Sequence, residues 1–507
     1  MLVVVWAAPL AAQTAASRSS GLDTVQLRAW LTSIAGPASQ GRANGSAEHA
    51  RVVATLREAG RALGLRPPGG VETRVPLRRV EIQYDRPLAL SYRPLPRWDP
   101  RVGGTPPSSG FTFGPPLVTH DRHFLPGWDW VMPPPDVWPR YEDDVAVSGA
   151  TVRYVGRLGV AAAERGDTIA DRVIVLDPPV NLTAEEALAH DSLGTWLASF
   201  SAAAAIAITG LDAVDPAVRA RWLRPVWTMG PLKRERRPPL FVLSRRTTRA
   251  LLLHPDLVMT ASLRVRERAP SAPIENLSLL LPGRAPESSR EVIVLSAPSD
   301  GLGVGPDGSL YPGADDGGSG AAALLGVAAL LQDPAQRPAR SVLFVWHAAT
   351  ELGLLGSDWW WRQAPVPLDR IAAVINVERL ARGADTLYAV GALGTTSSLA
   401  DLVTAYAGQS DLTLSWAWDT PDDPWQRPCR SDHVRALAAG VPALTINSGV
   451  HADWRRPTDH VERIEMSRYV ARIQWLAGAV RAVAEAPRGS LVRGSAPSSC
   501  EIPERRP

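Results

Sequence analysis

The chain has 507 residues, a formal net charge of +3, 45% hydrophobic residues and 21% charged residues. That length allows two or three domains and a large core. The small net charge, with no Lys/Arg run carrying interleaved aromatics, argues against a nucleic-acid binder, and no apolar run is long enough to span a bilayer.

At the amino end, Leu2 to Ala12 is apolar and ends in small residues, although no basic start precedes it. Residues 1–16 therefore read as a signal peptide, and the expected location is secreted or periplasmic. Cys429 and Cys500 are the only cysteines. Export allows a disulfide between them, and two unpaired thiols fit the sequence equally well. Residues 22–70 read as a helical segment. Within it, Val52, Val53, Leu56, Ala59 and Leu63 have helical spacing, Gly64 is a stop and Pro67-Pro68 lies beyond.

Residues 71–270 form a different region. From Arg93 to Arg140 the chain is rich in Pro, Gly and Trp, which predicts irregular loops. Short β-like runs follow at Val152–Val155, Val173–Leu176 and Leu240–Leu243, with an Ala-rich helix-like run at Leu197–Ile206. Residues 274–487 then alternate. Strand-like runs at Val292–Leu295, Val342–Trp346, Ala373–Val377, Leu387–Val390 and Ala443–Ile446 are interleaved with helix-like runs at Ala321–Leu331, Leu352–Arg362, Leu399–Ala405 and Met466–Ala484. Such alternation predicts an α/β fold, a mostly parallel sheet sandwiched by helices, beside the smaller β-rich inserted domain. Residues 488–507 read as a disordered tail. Trp359-Trp360-Trp361 reads as core or as the lining of a hydrophobic surface.

Five polar segments fall at predicted strand ends, where open α/β folds bind ligands. They are Ser296-Ala297-Pro298-Ser299-Asp300, the Gly-rich turn Gly313-Ala314-Asp315-Asp316-Gly317-Gly318-Ser319-Gly320, Ala349-Thr350-Glu351-Leu352-Gly353, Asn376-Val377-Glu378-Arg379, and His451-Ala452-Asp453-Trp454-Arg455-Arg456-Pro457-Thr458-Asp459. Converging carboxylates of this kind are oxygen donors for hard or borderline cations. Together with Glu351-Leu352-Gly353-Leu354-Leu355-Gly356-Ser357 and Arg430-Ser431-Asp432-His433, they resemble the co-catalytic zinc exopeptidases, which include bacterial leucyl aminopeptidases, glutamate carboxypeptidase and the transferrin receptor. The resemblance covers Asn276 to Ala484 and extends weakly to Gly41–Leu65, which opens Gly-Arg-x-x-Gly-Ser. It also suggests a protease-associated-type domain for the β-rich insert.

The resemblance implies two metal ions sharing one aspartate, each with a further carboxylate and a histidine. The bridging position falls on Asp315, the second-metal carboxylate on Glu351 and the first-metal carboxylate on Glu378, with Asp300, Asp316, Asp432 and His433 in support. The remaining positions are substituted. The first histidine is Pro298, the second is Arg455, and the general base is Thr350. Proline offers a metal no side-chain donor, arginine stays protonated and repels one, and a threonine hydroxyl cannot take a proton from water near neutral pH. Among the histidines, His451 is the candidate substitute ligand because it lies on the same loop as Arg455; His347, His433 and His460 read as structural or surface residues.

Three readings follow. The first is an inactive pseudopeptidase with no cofactor that binds a peptide, a protein or a glycan. The second is an active zinc aminopeptidase with substitute ligands. The third is a site holding one structural Ca²⁺ or Mg²⁺ through its carboxylates. In the first, Arg455 replaces the lost charge against Glu351 or Asp315, and Arg379 does the same beside Glu378. The sequence leaves the oligomeric state open.

Overall fold

A computed structural model describes residues 22–69, 73–84, 88–92, 122–126, 128–133, 144–159, 169–190, 192–230, 238–253, 257–285, 288–305, 308–392, 398–423 and 427–492. The signal-peptide segment, most of the Pro-rich stretch, Cys500 and the tail beyond Val492 lie outside them. Cys429 is disulfide-bonded. The chain divides into two units, residues 1–75 with 271–507, and residues 76–270.

The first unit is built on a sheet of seven strands among the described residues. Its spatial order is Leu277–Leu281, Ser341–His347, Val292–Pro298, Ile371–Val377, Ala443–Asn447, Thr386–Val390 and Thr413–Ser415. The four strands from Ser341–His347 to Ala443–Asn447 are mutually parallel, and an antiparallel neighbour flanks them on each side. These central strands are continuous apolar runs because helices cover both faces. Alternate residues serve opposite cores. Ile293, Leu295, Phe344 and Ile375 pack with the helices Thr24–Ala35, Gly320–Leu331 and Met466–Glu485. Val292, Val294, Leu343 and Val374 pack on the other side with Trp360, Ala436 and Leu437.

Trp360 is therefore core, and its indole donates to Ser278 Oγ. The run expected as a helix from Leu352 starts at Leu355, after a turn in which Gly353 and Leu354 take positive φ. Residues 488–492 are ordered rather than tail: Arg488 pairs with Glu291 at 3.0 Å, and the Val492 amide donates to Ser398 Oγ. No helix of the described residues is long and apolar enough to cross a membrane.

The second unit carries a sheet of ten strands among the described residues. Asp144–Arg157, Val173–Asp177, Ala205–Thr209 and Leu240–Leu243 run parallel, and Leu257–Arg268 pairs antiparallel with Leu77–Tyr84 and Asp144–Arg157. The stretch expected as a helix at Leu197–Ile206 is not one. A short helix, Leu193–Ala198, ends at its start, and Ala205–Thr209 is a fully buried strand between two parallel neighbours. Ladder pairing on both sides outweighs the helix propensity of the alanines.

Candidate functional site

Because the central strands are parallel, their carboxyl ends meet at one edge, and each is followed by a polar segment. Pro298 ends one strand; Thr350 and Glu351 follow a second, Glu378 a third, and the loop bearing Arg455 comes after the fourth. These residues line a cavity of about 640 Å³ together with Asp300, Asp316, Gly317 and Arg379. Its other wall is formed by Val390, Trp418, Arg427, Arg430, Asn447, Val450 and Trp454.

The Gly-rich turn is shaped from outside. Arg42, fully buried, donates to the carbonyls of Pro312, Gly313 and Asp316 at 2.6, 2.9 and 2.9 Å. Gly317 has φ +87, and a Cβ on Gly320 would stand 2.4 Å from the Glu378 carbonyl, so neither position accepts a larger residue without movement. The Asp459 carboxylate accepts from the amides of Asp315 and Asp316, which ties this turn to the Arg455 loop.

Of the adjacent aspartates it is Asp316, not Asp315, that faces the cavity. Asp315 is fully buried and turns inward, where its Oδ1 accepts from the Ala381 amide at 2.7 Å and from Ser319 Oγ at 2.8 Å. Burial opposes its ionisation, but His451 and these two donors hold its carboxyl below the usual range. The bridging assignment to Asp315 is thereby corrected, and Asp316 moves from support to the cavity wall.

His451 does not serve as a substitute ligand. Its Nδ1 accepts from the Asp453 amide, and its Nε2 lies 3.1 Å from Asp315 Oδ2, so both nitrogens are directed into the protein. His347 and His433 are buried, and that burial pushes their rings down to about 3 and about 4. His433 Nδ1 shares a hydrogen bond with Thr445 Oγ1. His460 is exposed.

Arginines hold the carboxylates of the crevice. Arg455 donates to both oxygens of Glu351, at 2.7 and 3.4 Å. Arg379 Nη1 sits 3.3 Å from Asp316 and 3.3 Å from Glu378, bridging the two acids, and its guanidinium lies over the Trp454 ring. Asp300, expected to orient an imidazole, accepts instead from the amides of Thr350 and Glu351 and from Asn44 Nδ2. Thr350 Oγ1 donates to Asp432 Oδ2 at 2.9 Å.

Burial raises the acids. Glu351 is pushed up to about 7 by burial and by the Asp316 charge, against the pull of Arg455. Burial also lifts Glu378, opposed by Arg379, and lifts Asp432 to about 6. Ala349 and Arg455 both adopt positive φ, +56 and +54. Such strain persists only where its surroundings fix it, and here the Ala349 amide is held by Asn44 Oδ1 while the Arg455 side chain is held by Glu351.

The donor set does not fit a pair of zinc ions. Pro298 supplies no donor, a guanidinium stands on Glu351, and another stands between Asp316 and Glu378. Arg42 and Asn44 are the supporting residues hardest to find from sequence, because they act on segments more than 250 residues away. Their only local signal is the Gly-Arg-x-x-Gly-Ser start.

Residues 276–480 match Peptidase family M28. No curated protein matches the chain. Among solved structures, the chain is similar to an aminopeptidase from Aneurinibacillus sp. strain AM-1, with 15% identity, a TM-score of 0.49, and coverage of 94% of this chain and 95% of that one. It is also similar to a zinc aminopeptidase from Bacillus subtilis, with 16% identity, a TM-score of 0.47, and coverage of 95% and 100%. The crevice thus lies within residues 276–480, the part of the chain that matches Peptidase family M28.

Proposed function

We propose that the protein is an exported member of its peptidase family without catalytic activity, and that its crevice binds a peptide or protein segment. The observation that carries this reading is the Arg455 guanidinium seated on both oxygens of Glu351. With Arg379 between Asp316 and Glu378, two guanidinium groups stand against three acids, and burial, which raises Glu351 and Glu378, favours a proton on the remaining one. Thr350 donates a hydrogen bond to Asp432 and leaves the crevice without a general base at that position. A positioned base alone contributes about 10²–10⁴ in rate, and a metal-activated water contributes separately.

An active zinc enzyme with substitute ligands would need a histidine in the crevice, and His451 is turned toward Asp315. A single Ca²⁺ or Mg²⁺ would have to displace both arginines. The β-rich unit fits a protease-associated-type domain in its position within the chain.

The expected result with aminoacyl anilides and added Zn²⁺ is no hydrolysis above background. Metal-dependent turnover that disappears in Glu351→Gln would contradict the proposal.

A further inference from the structure

We infer that the crevice takes its ligand by a carboxylate, as the carboxyl terminus of a peptide with an apolar last residue, and does not require a free amino terminus. The inference rests on the reading of the crevice as a peptide site and specifies what that site selects.

The charges in the crevice decide the point. An incoming ammonium group needs an available carboxylate. Glu351 is held at both oxygens by Arg455, Asp316 and Glu378 share Arg379, and Asp300 is taken up by two backbone amides and Asn44. Each of these carboxylates thus already has a partner, and the charged side chain on the wall without an ion pair among the described residues is a donor. Arg430 is exposed on the cavity wall and has no ion pair or side-chain hydrogen bond among the described residues. Asn447 Oδ1 is occupied by the Gly449 amide, which fixes the side chain and leaves its Nδ2 without a partner among the described residues. Arg427, on the same wall, is paired with Asp423 and lies 4.2 Å from the Trp418 ring centroid. A guanidinium and an amide NH₂ recognise a carboxylate by charge-assisted hydrogen bonds.

The wall around these donors is apolar and stiff. Trp418 stacks on Tyr388 with ring centroids 3.9 Å apart, and Val390 is buried beside them. Trp454 is backed by Arg379. An aliphatic or aromatic side chain next to a carboxylate matches that surface.

The test uses the full-length protein and three peptides of one apolar sequence: N-acetylated with a free carboxylate, N-acetylated with a carboxyl-terminal amide, and free at both ends. Binding is read by calorimetry and by quenching of tryptophan fluorescence. The two free-carboxylate peptides should bind alike, and the amide should bind about tenfold or more weakly, as expected for loss of a charge-assisted contact. Arg430→Gln should weaken the free acids to the level of the amide and leave the amide unchanged. Equal binding of acid and amide would overturn this inference and leave the peptide-site reading intact. A requirement for the free amine would also overturn it. Binding of none of the three would overturn both.

Discussion

Arg455 is the residue on which the proposed loss of chemistry turns. It stands where a metal-binding histidine was expected, takes a left-handed backbone conformation, and spends its planar fork on Glu351. Its side chain is 44% exposed and that of Glu351 23%, so the pair is worth far less than a buried one. Arg455→Ala should cost about 1 kcal/mol at pH 8. The sign with pH follows from Glu351, whose carboxyl is raised to about 7 with Arg455 present. Removing the arginine raises it further, so the cost is felt where Glu351 is ionised and fades below that range. Urea unfolding at pH 8 and pH 5 checks this, and an equal loss at both would count against the pairing.

Arg379 makes a separate prediction. Restoring Pro298→His, Thr350→Glu and Arg455→His leaves a guanidinium between Asp316 and Glu378. Tight zinc binding by calorimetry should therefore return only when Arg379→Met is added, and recovery in the triple variant would show that Arg379 yields to a cation.

At the scale of elements, the aspartate turn depends on a side chain from a distant segment. Arg42 bonds three carbonyls from a fully buried position, and Arg42→Leu removes that donor from all three, of which the Gly313 carbonyl keeps the Gly318 amide at 3.2 Å. With a cost of roughly 1–3 kcal/mol for each buried unsatisfied group, the variant should lose about 2 kcal/mol or more, measured by denaturant unfolding. A loss below about 1 kcal/mol would show that water or a shifted turn satisfies the carbonyls.

The same clamp explains what the sequence could and could not say. Strand and helix positions were legible because buried parallel strands are unbroken apolar runs and helices follow them at regular intervals, as at Val292–Pro298 and Gly320–Leu331. Pro298, Thr350, Glu351, Glu378 and Arg455 were legible as neighbours because they stand in four motifs at strand ends. Which of two adjacent aspartates faces the crevice was not. That choice is made by the Ala381 amide, Ser319 and Asp459, and two of these three are more than 60 residues away. Trp418 and Arg427 on the crevice wall were missed for a similar reason, since they sit in loops with no periodicity to mark them, and Arg430 was legible only as the start of its motif, with no role at the wall assigned. The alanines before Ile206 misled in the opposite direction, since a strand there needs partners that only the fold supplies.

At the scale of the whole molecule, a cluster of raised acids sets a direction for stability against pH. Glu351 moves from 4.5 to about 7 and Asp432 from 3.8 to about 6, both by burial first. The folded state holds these protons after the unfolded chain has released them, so the acids' contribution to stability falls as pH rises through that window. The buried rings of His49, His347 and His433, held at about 4, 3 and 4, act in the opposite sense, so the acid is read by difference: the melting temperature of Glu351→Gln relative to the unmodified protein should rise from pH 5.5 to pH 8 in the same buffer and salt, and an unchanged difference would contradict the burial of Glu351.

On the proposed reading, arginine side chains carry charge balance that metal ions would otherwise supply in this crevice. Metal content is its most direct test. Full-length protein is equilibrated with excess zinc, desalted and analysed by mass spectrometry, alongside Glu351→Gln. The expected result is less than one zinc per chain and the same value for both proteins. Two zinc ions per chain in the unmodified protein, lost in Glu351→Gln, would contradict it.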